Sequence, residues 1–185
     1  MQTGYFNDLV KTGEVALVRR YERLTEELLA SPPMQRLINH CADEMLAMGE
    51  RPDVPYELGV HTIRTSAPGM PTPEGVHRDG YAFVHTTIVA REGIDGGSSR
   101  VHTGKYDDPL LDVPMTPGDT LIINDQAVMH SVSNITISTG QTVGHRDVIV
   151  ITARPWATGE ADEMEAGLLA QLEGTVEAPD LTAAA

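Results

Sequence analysis

The chain has 185 residues, 41% of them hydrophobic and 22% charged, and its 27 acidic and 13 basic residues give a formal net charge of −14. That length suits one domain of ordinary size with a real core. The acidity argues against a nucleic-acid partner, which needs a basic face, and against an anionic membrane surface. A small anionic substrate stays compatible, because one buried arginine can bind a carboxylate inside an acidic protein. The single cysteine, Cys41, allows no intrachain disulfide, and its place on an apolar stripe reads as a buried thiol. With no basic segment leading into an apolar run, and no stretch near the ~18 apolar residues a membrane span needs, a soluble cytoplasmic protein is expected.

Residues 1–50 read as helical. Leu17, Tyr21, Leu24 and Leu28 recur at spacings of four, three and four in "EVALVRRYERLTEELLASPP", one stripe of an amphipathic helix. "SPP" stops it; Ser31 can cap the next helix, with Pro32 at its first position, where a missing N–H costs nothing. Met34, Leu37, Ile38, Cys41 and Met45 form a second stripe, with Gly49 as its stop. From residue 55 the period changes. "YELGVHTIRT", "YAFVHTTIVA", "SSRVHTG", "LLDVPM", "DTLIIND", "MHSVSNITI" and "RDVIVITARP" read as strands, separated by the turn clusters "APGMPTPEG", "GIDGGSS", "TPGD" and "STGQTVGH". Short strands at such spacing, with no helical pattern between them, predict an antiparallel sandwich or barrel rather than βαβ units. The expected fold is mainly β with flanking α: a jelly-roll, cupin-like core over 55–155 behind N-terminal helices, together one domain over 1–157. Residues 158–185 carry an acidic segment, "GEADEMEAGLLAQLEG", that reads as a short helix and tail.

Seven histidines are available. His77 and Asp79 in "PTPEGVHRDGYAFVH" stand two apart, so on a strand both point to one face. Such a pair is also what two ordinary polar residues at a strand end look like. His130, 51 residues beyond Asp79 in "NDQAVMHSV", supplies a third ligand if an early and a late strand face each other. Two imidazoles and one carboxylate on one side of a metal leave other positions open, the arrangement that suits non-haem Fe(II) and O₂. Arg146, 16 residues further on, opens the apolar strand "RDVIVITARP". It reads either as a surface residue at a strand end or as a buried guanidinium, which needs an anionic partner.

The segments "EGVHRDGYAFVHTTIVAREGIDGGSSRV", "PMTPGDTLIINDQAVMHSVSNI" and "GHRDVIVITARP" resemble, in order, the 2-oxoglutarate-dependent Fe(II) dioxygenases. The resemblance covers roughly residues 57–155 and runs to the small bacterial amino-acid hydroxylases typified by isoleucine dioxygenase. It implies a double-stranded β-helix, with His77, Asp79 and His130 as iron ligands. It also implies that Arg146 pairs with the far carboxylate of 2-oxoglutarate, with Thr152 supporting it on the same face and Arg154 as the rival for that role. The expected cofactor is Fe(II), with 2-oxoglutarate and O₂ as co-substrates. The expected reaction hydroxylates an unactivated C–H of a small molecule, a free aliphatic L-amino acid, and releases succinate and CO₂. Such a substrate needs a cation for its carboxylate, for which Arg64 is the candidate, and His85 continues the alternation from His77 towards the pocket. The loop "SAPGMPTPEG" has the composition of a lid. Two alternatives stand beside this reading: a metal-binding cupin-like protein without oxygenase chemistry, and the same chemistry on a carrier- or protein-bound substrate. A homodimer is compatible with the sequence, which carries no feature that sets the oligomeric state.

Overall fold

The computed structural model describes residues 23–50 and 53–156. The Leu17–Tyr21 half of the first stripe and the acidic segment 158–185 lie outside the described residues. Helix α1 (Glu26–Ala30) is followed at once by α2 (Pro32–Ala47). Ser31 stands at the N-cap of α2, but its hydroxyl donates to Leu28 O at 2.7 Å and so closes α1 instead. Pro32 at the first helical position fits α2, where no amide partner is required. At the far end Gly49, at φ +102°, donates its N–H to Leu46 O while Glu50 donates to Met45 O. This 6→1 and 5→2 pattern satisfies the last carbonyls of the helix.

Among the described residues nine strands follow, every pairing antiparallel: β1 (Tyr56–Ser66), β2 (Phe83–Glu92), β3 (Ile94–Gly96), β4 (Ser99–His102), β5 (Leu111–Val113), β6 (Thr120–Asn124), β7 (Met129–Val132), β8 (Ile135–Ile137) and β9 (His145–Pro155). The large sheet has the order β1-β9-β2-β6, the small one β5-β4-β7, and β3 pairs with β8 beside them. This is the double-stranded β-helix the strand pattern predicts. One element departs from the expectation: "GIDGGSS" is not wholly a turn, because Ile94–Gly96 forms a strand against Ile135–Ile137. Three residues, Ile-Asp-Gly, are too few to show an alternation that marks a strand; backbone pairing defines it.

The continuous apolar run of β9 follows from its central position, which buries both faces. Val148 and Val150 pack with Val84, Val101, Met115 and Ile123 between the two sheets. Ile149 and Ile151 face the other way, against Met34, Leu37, Ile38 and Cys41 of α2, while Ala153 meets Met45 and Phe83. The second helical stripe is therefore the cover of the large sheet. Burial pushes the Cys41 thiol up to about 11, so it is an inert packing group. Among the described residues no helix is long and apolar enough to cross a membrane.

Candidate metal centre

His77 and Asp79 lie in the connection between β1 and β2, not on a strand as their spacing first predicts. His77 nevertheless forms an isolated antiparallel bridge with His130 of β7: His77 N donates to His130 O at 3.0 Å, and His130 N donates to His77 O at 2.9 Å. Directly opposite residues in such a pair present side chains to the same side. One reciprocal pair of hydrogen bonds thus joins imidazoles far apart in the chain, their ring centroids 4.4 Å apart. Asp79 then stands between them. His77 Nε2 is 3.3 Å from Asp79 Oδ1, and His130 Nε2 is 3.4 Å from Asp79 Oδ2.

One potential ligand atom from each residue lies within 4.8 Å of the other two, the only such trio of His, Cys, Asp or Glu among the described residues. Neighbouring ligands on a metal with bonds of about 2.0–2.1 Å stand about 3 Å apart, close to these separations. The two buried residues, His77 and Asp79 at 4% exposure each, are not placed there by ordinary core packing. Asp79 Oδ1 is a buried acceptor with no hydrogen bond, which normally costs free energy. Both rings turn Nδ1 away from the centre: His77 Nδ1 is 2.9 Å from Gly75 O, and His130 Nδ1 is 3.4 Å from Asp125 Oδ1. The donor set is therefore two Nε2 atoms and a hard carboxylate, which fits Fe(II).

The electrostatics of the trio are strongly coupled. Burial by itself raises the Asp79 carboxyl, but the close approach and charge of His130 and His77 prevail and hold it well below the usual range. Burial lowers His130, but Asp125 and Asp79 prevail and push it up to about 9. The arrangement thus favours a positive charge beside Asp79, and a metal cation meets that demand without a proton.

Arg146, the first inward residue of β9, is 4% exposed. Its Nη2 reaches Ser99 Oγ at 3.4 Å, and its Nε has no hydrogen bond. A bulge at Val89 shifts the β2 register, so that Ile88 pairs with Val148 but Arg91 pairs with Arg146. Arg91 spends its own donors on the carbonyls of Gly96 and Gly97. Burial first, and the Arg91 charge second, push the Arg146 guanidinium down to about 10. The "GGSS" turn explains itself here. A Cβ on Gly97, whose φ is +70°, would stand 2.8 Å from Ile135 Cγ2, 3.1 Å from Arg91 Nη1 and 3.5 Å from Arg146 Cδ. Gly97 leaves room for the arginine stem, and Ser99 receives its head.

Arg146 and the trio line one cavity between the sheets, walled by Ile63, Val84, Ile123 and Val150. Thr152 lies on the same face of β9, fully buried, one step past Val150, with its hydroxyl lacking a hydrogen bond. It is not in the cavity wall. Arg154, two residues further, donates to Glu57 Oε2 at 2.7 Å at the opposite end of the strand from Arg146. The structure also does not bring Arg64 or His85 to the cavity. Arg64 alternates outward and forms a two-pronged pair with Asp147 at 2.7 and 2.5 Å, while Thr65 takes the inward position. His85 faces α2, its ring 6.3 Å from that of His40. Gly80, at φ +84°, turns the chain after Asp79 and reverses the alternation, so Val84 and Thr86 line the cavity instead.

Three participants were not picked out by motif. Ser99 lies against the guanidinium; its place at the end of "GIDGGSS" was the available signal. Glu74, in the loop before His77, has a side chain only 2% exposed and an Oε1 3.4 Å from His77 Nε2. Asp125, 1% exposed, accepts from Gly80 N at 2.7 Å and Tyr81 N at 3.3 Å through Oδ2.

A jelly roll that converges two imidazoles and one carboxylate on a point, with a buried arginine lining the same cavity, is a candidate mononuclear metal site with a cation beside it. The sequence matches the 2OG-Fe dioxygenase family over residues 1–152, and the chain belongs to that family. Membership implies Fe(II), 2-oxoglutarate and O₂, and the trio supplies the donors that iron requires. No curated protein matches the sequence significantly. Among solved structures, the chain is similar to a bsmA homologue from Methylobium petroleophilum PM1, with 23% identity and a TM-score of 0.70 over 86% of this chain and 65% of that one. It is similar to IDO from Bacillus thuringiensis, with 18% identity and a TM-score of 0.66 over 75% of this chain and 63% of that one. It is also similar to TqaL, an Fe(II)/α-ketoglutarate-dependent dioxygenase, with 19% identity and a TM-score of 0.59 over 75% and 59%. At these identities the likeness is one of fold, and the chain spans about three fifths of the length of the solved structures it matches.

Proposed function

We propose that the chain is an Fe(II)/2-oxoglutarate-dependent oxygenase that hydroxylates an unactivated C–H of a small molecule, a free aliphatic L-amino acid. The observation that carries this reading is Arg146: a buried guanidinium whose Nε has no hydrogen bond, sharing one cavity with the three metal-ligand residues. A metal-binding protein without oxygenase chemistry has no use for such an anchor. A dicarboxylate that chelates the metal through one end needs a cation of this kind for the other.

His77, Asp79 and His130 would hold iron through Nε2, a carboxylate oxygen and Nε2. Bound iron supplies the oxidative decarboxylation of 2-oxoglutarate to succinate and CO₂ that drives hydroxylation. The protein's own contribution is orientation and exclusion of water. Arg146 gives the far carboxylate a charge-assisted fork, with Ser99 Oγ 3.4 Å from its Nη2. Ile63, Val84, Ile123 and Val150 keep the cavity wall apolar between anchor and metal, which strengthens the ion pair by lowering the local dielectric. Glu74, buried beside His77 Nε2 in the cavity wall, offers a carboxylate to the ammonium of an amino acid bound there. The loop that carries it, residues 66–75, would cover bound substrate.

The deciding experiment supplies Fe(II), ascorbate and 2-oxoglutarate and screens the proteinogenic amino acids for succinate release and a mass gain of one oxygen. Coupled turnover with an aliphatic amino acid is expected, and His77→Ala should abolish it. Bound iron with succinate formation on some other small acid would retire the amino-acid assignment. Bound iron with no 2-oxoglutarate turnover under any condition would retire the oxygenase reading.

A further inference from the structure

Asp125 sits on the turn after β6 and reaches two of the three ligand residues at once. Its Oδ1 lies 3.4 Å from His130 Nδ1. Its Oδ2 accepts from the backbone N–H groups of Gly80 and Tyr81, immediately beyond Asp79, and Asp125 N donates to Ala82 O at 3.2 Å. The side chain is buried, so both contacts are shielded from water. His77 is oriented differently, by the neutral carbonyl of Gly75.

From this geometry we infer that Asp125 is a positioning residue for the metal centre, fixing the ring of His130 and the loop of Asp79 together. The inference rests on the proposed iron site. A histidine ligates through one nitrogen only when the proton stays on the other, and the hydrogen bond made by that other nitrogen selects the tautomer. Asp125 Oδ1 and His130 Nδ1 are both buried, 3.4 Å apart and without any other hydrogen-bond partner, so a proton held on Nδ1 has Oδ1 as its acceptor, and the Nε2 lone pair then faces Asp79 and the metal. Both Asp125 oxygens face donors: His130 Nδ1–H on one side, two backbone N–H groups on the other. Only a carboxylate accepts at both ends. An asparagine must turn its amide group towards one of them. Towards Gly80 and Tyr81, it opposes donor to donor and loosens the Asp79 loop. Towards His130, it donates to Nδ1 and moves the ring proton to Nε2, where it blocks the metal. Asp125→Asn is therefore nearly as harmful as Asp125→Ala, although it changes little volume.

The test uses the full chain, labelled with ¹⁵N and loaded with Zn(II), a diamagnetic probe of the same ligands. Two-bond ¹H–¹⁵N correlation reads the histidine tautomers, and competition titration reads Zn(II) affinity. In the wild type, His130 should carry its proton on Nδ1 and bind metal through Nε2. In Asp125→Asn and Asp125→Ala, Zn(II) affinity should fall about 10- to 100-fold, with rapid exchange or loss of the His130 Nδ1–H, while the His77 signal stays as in the wild type. Wild-type ligation through His130 Nδ1 would overturn the role of Asp125, and that measurement needs no variant to fold. So would Asp125→Asn with Zn(II) affinity within about threefold of wild type and an unchanged Nδ1–H. A wild type that binds no Zn(II) would overturn the metal reading itself, an outcome distinct from failure of Asp125 alone.

Discussion

Replacing Arg146 by Met separates an anchor that waits for an anion from an arginine that holds the fold together. The guanidinium is 4% exposed and is pushed down from its ordinary value to about 10 by burial and Arg91. Its ordinary value in an unfolded chain is the higher one, and the group is charged in both states at neutral pH. Holding the charge in the fold therefore costs about 3 kcal/mol, at about 1.4 kcal/mol per pH unit. Its one described hydrogen bond, to Ser99 at 3.4 Å, is too long to offset that. Methionine keeps much of the stem and discards the charge. Without 2-oxoglutarate the variant should be as stable as wild type or more so, each kcal/mol recovered being worth about 2–4 °C at this chain length. With 2-oxoglutarate the order reverses. The anion relieves the buried charge in the wild type only, so the dissociation constant should rise about a hundredfold in the variant, the equivalent of about 3 kcal/mol. Arg146→Lys keeps the charge without the fork and should fall between the two. Thermal melts and anaerobic calorimetric titration read both quantities. A variant that melts well below wild type yet binds 2-oxoglutarate normally would refute the reasoning, because Arg146 would then be a structural residue.

Gly97→Ala forces a side chain into a left-handed backbone position and within 2.8 Å of Ile135 Cγ2; strain of about 1–2 kcal/mol, plus displacement of the Arg146 stem, should lower both the melting temperature and 2-oxoglutarate affinity. Glu74→Gln should raise the KM for an amino-acid substrate about 10- to 100-fold, the value of a charged hydrogen bond, while 2-oxoglutarate affinity is unchanged; weakened metal binding instead would mark Glu74 as a ligand. His85 is fully buried with both ring nitrogens lacking hydrogen bonds, and burial, then His40, pushes it down from 6.5 to about 4. Between those values the unfolded chain takes up a proton that the folded chain refuses. The stability contributed by the neutral ring is therefore complete above pH 6.5 and falls by about 3 kcal/mol as the pH drops through about 4. His85→Leu should flatten that slope, so equal losses of melting temperature in both proteins between about pH 7 and pH 4.5 would disprove it.

What could be read from the sequence was whatever periodic burial imprints. The α2 stripe and the double-sided apolar run of β9 are legible because each faces a core, and their limits come out within a residue or two. β3 is not legible, since it is only three residues long and buries Ile94 alone, too little for a period to show. The histidine and aspartate of the H-x-D pair were legible as neighbours, but not as loop residues. What holds them is the His77–His130 bridge, a backbone event without a side-chain signature. Parity carried over from His77 led to His85 because Gly80 reverses it, and a single left-handed residue leaves no periodic mark. Arg64 failed for the matching reason: a cation on a strand says nothing about which face it takes, and Asp147 opposite gives it a partner outside. Asp125 was hidden among turn residues, although an acid five positions before a ligand histidine is the kind of group that orients imidazoles.

The two halves of the site are held by different physics. Arg146 belongs to the central strand of the large sheet, flanked by β1 and β2, and the shape of its pocket is set by core packing around Gly97 and Ser99. The candidate metal-ligand residues belong to a loop and to a strand of the small sheet, and they are fixed by discrete contacts: two hydrogen bonds in the His77–His130 bridge, that of His77 to Gly75 O, and those Asp125 makes to the loop after Asp79. Core packing is shared among many groups and resists single substitutions unevenly, whereas a bond count this low makes each bond matter. Metal affinity should thus respond sharply to changes at Asp125 that leave the fold intact. Affinity for the co-substrate should instead follow changes in the volume and charge around Arg146. The two properties are therefore separable by mutation although their residues line one cavity.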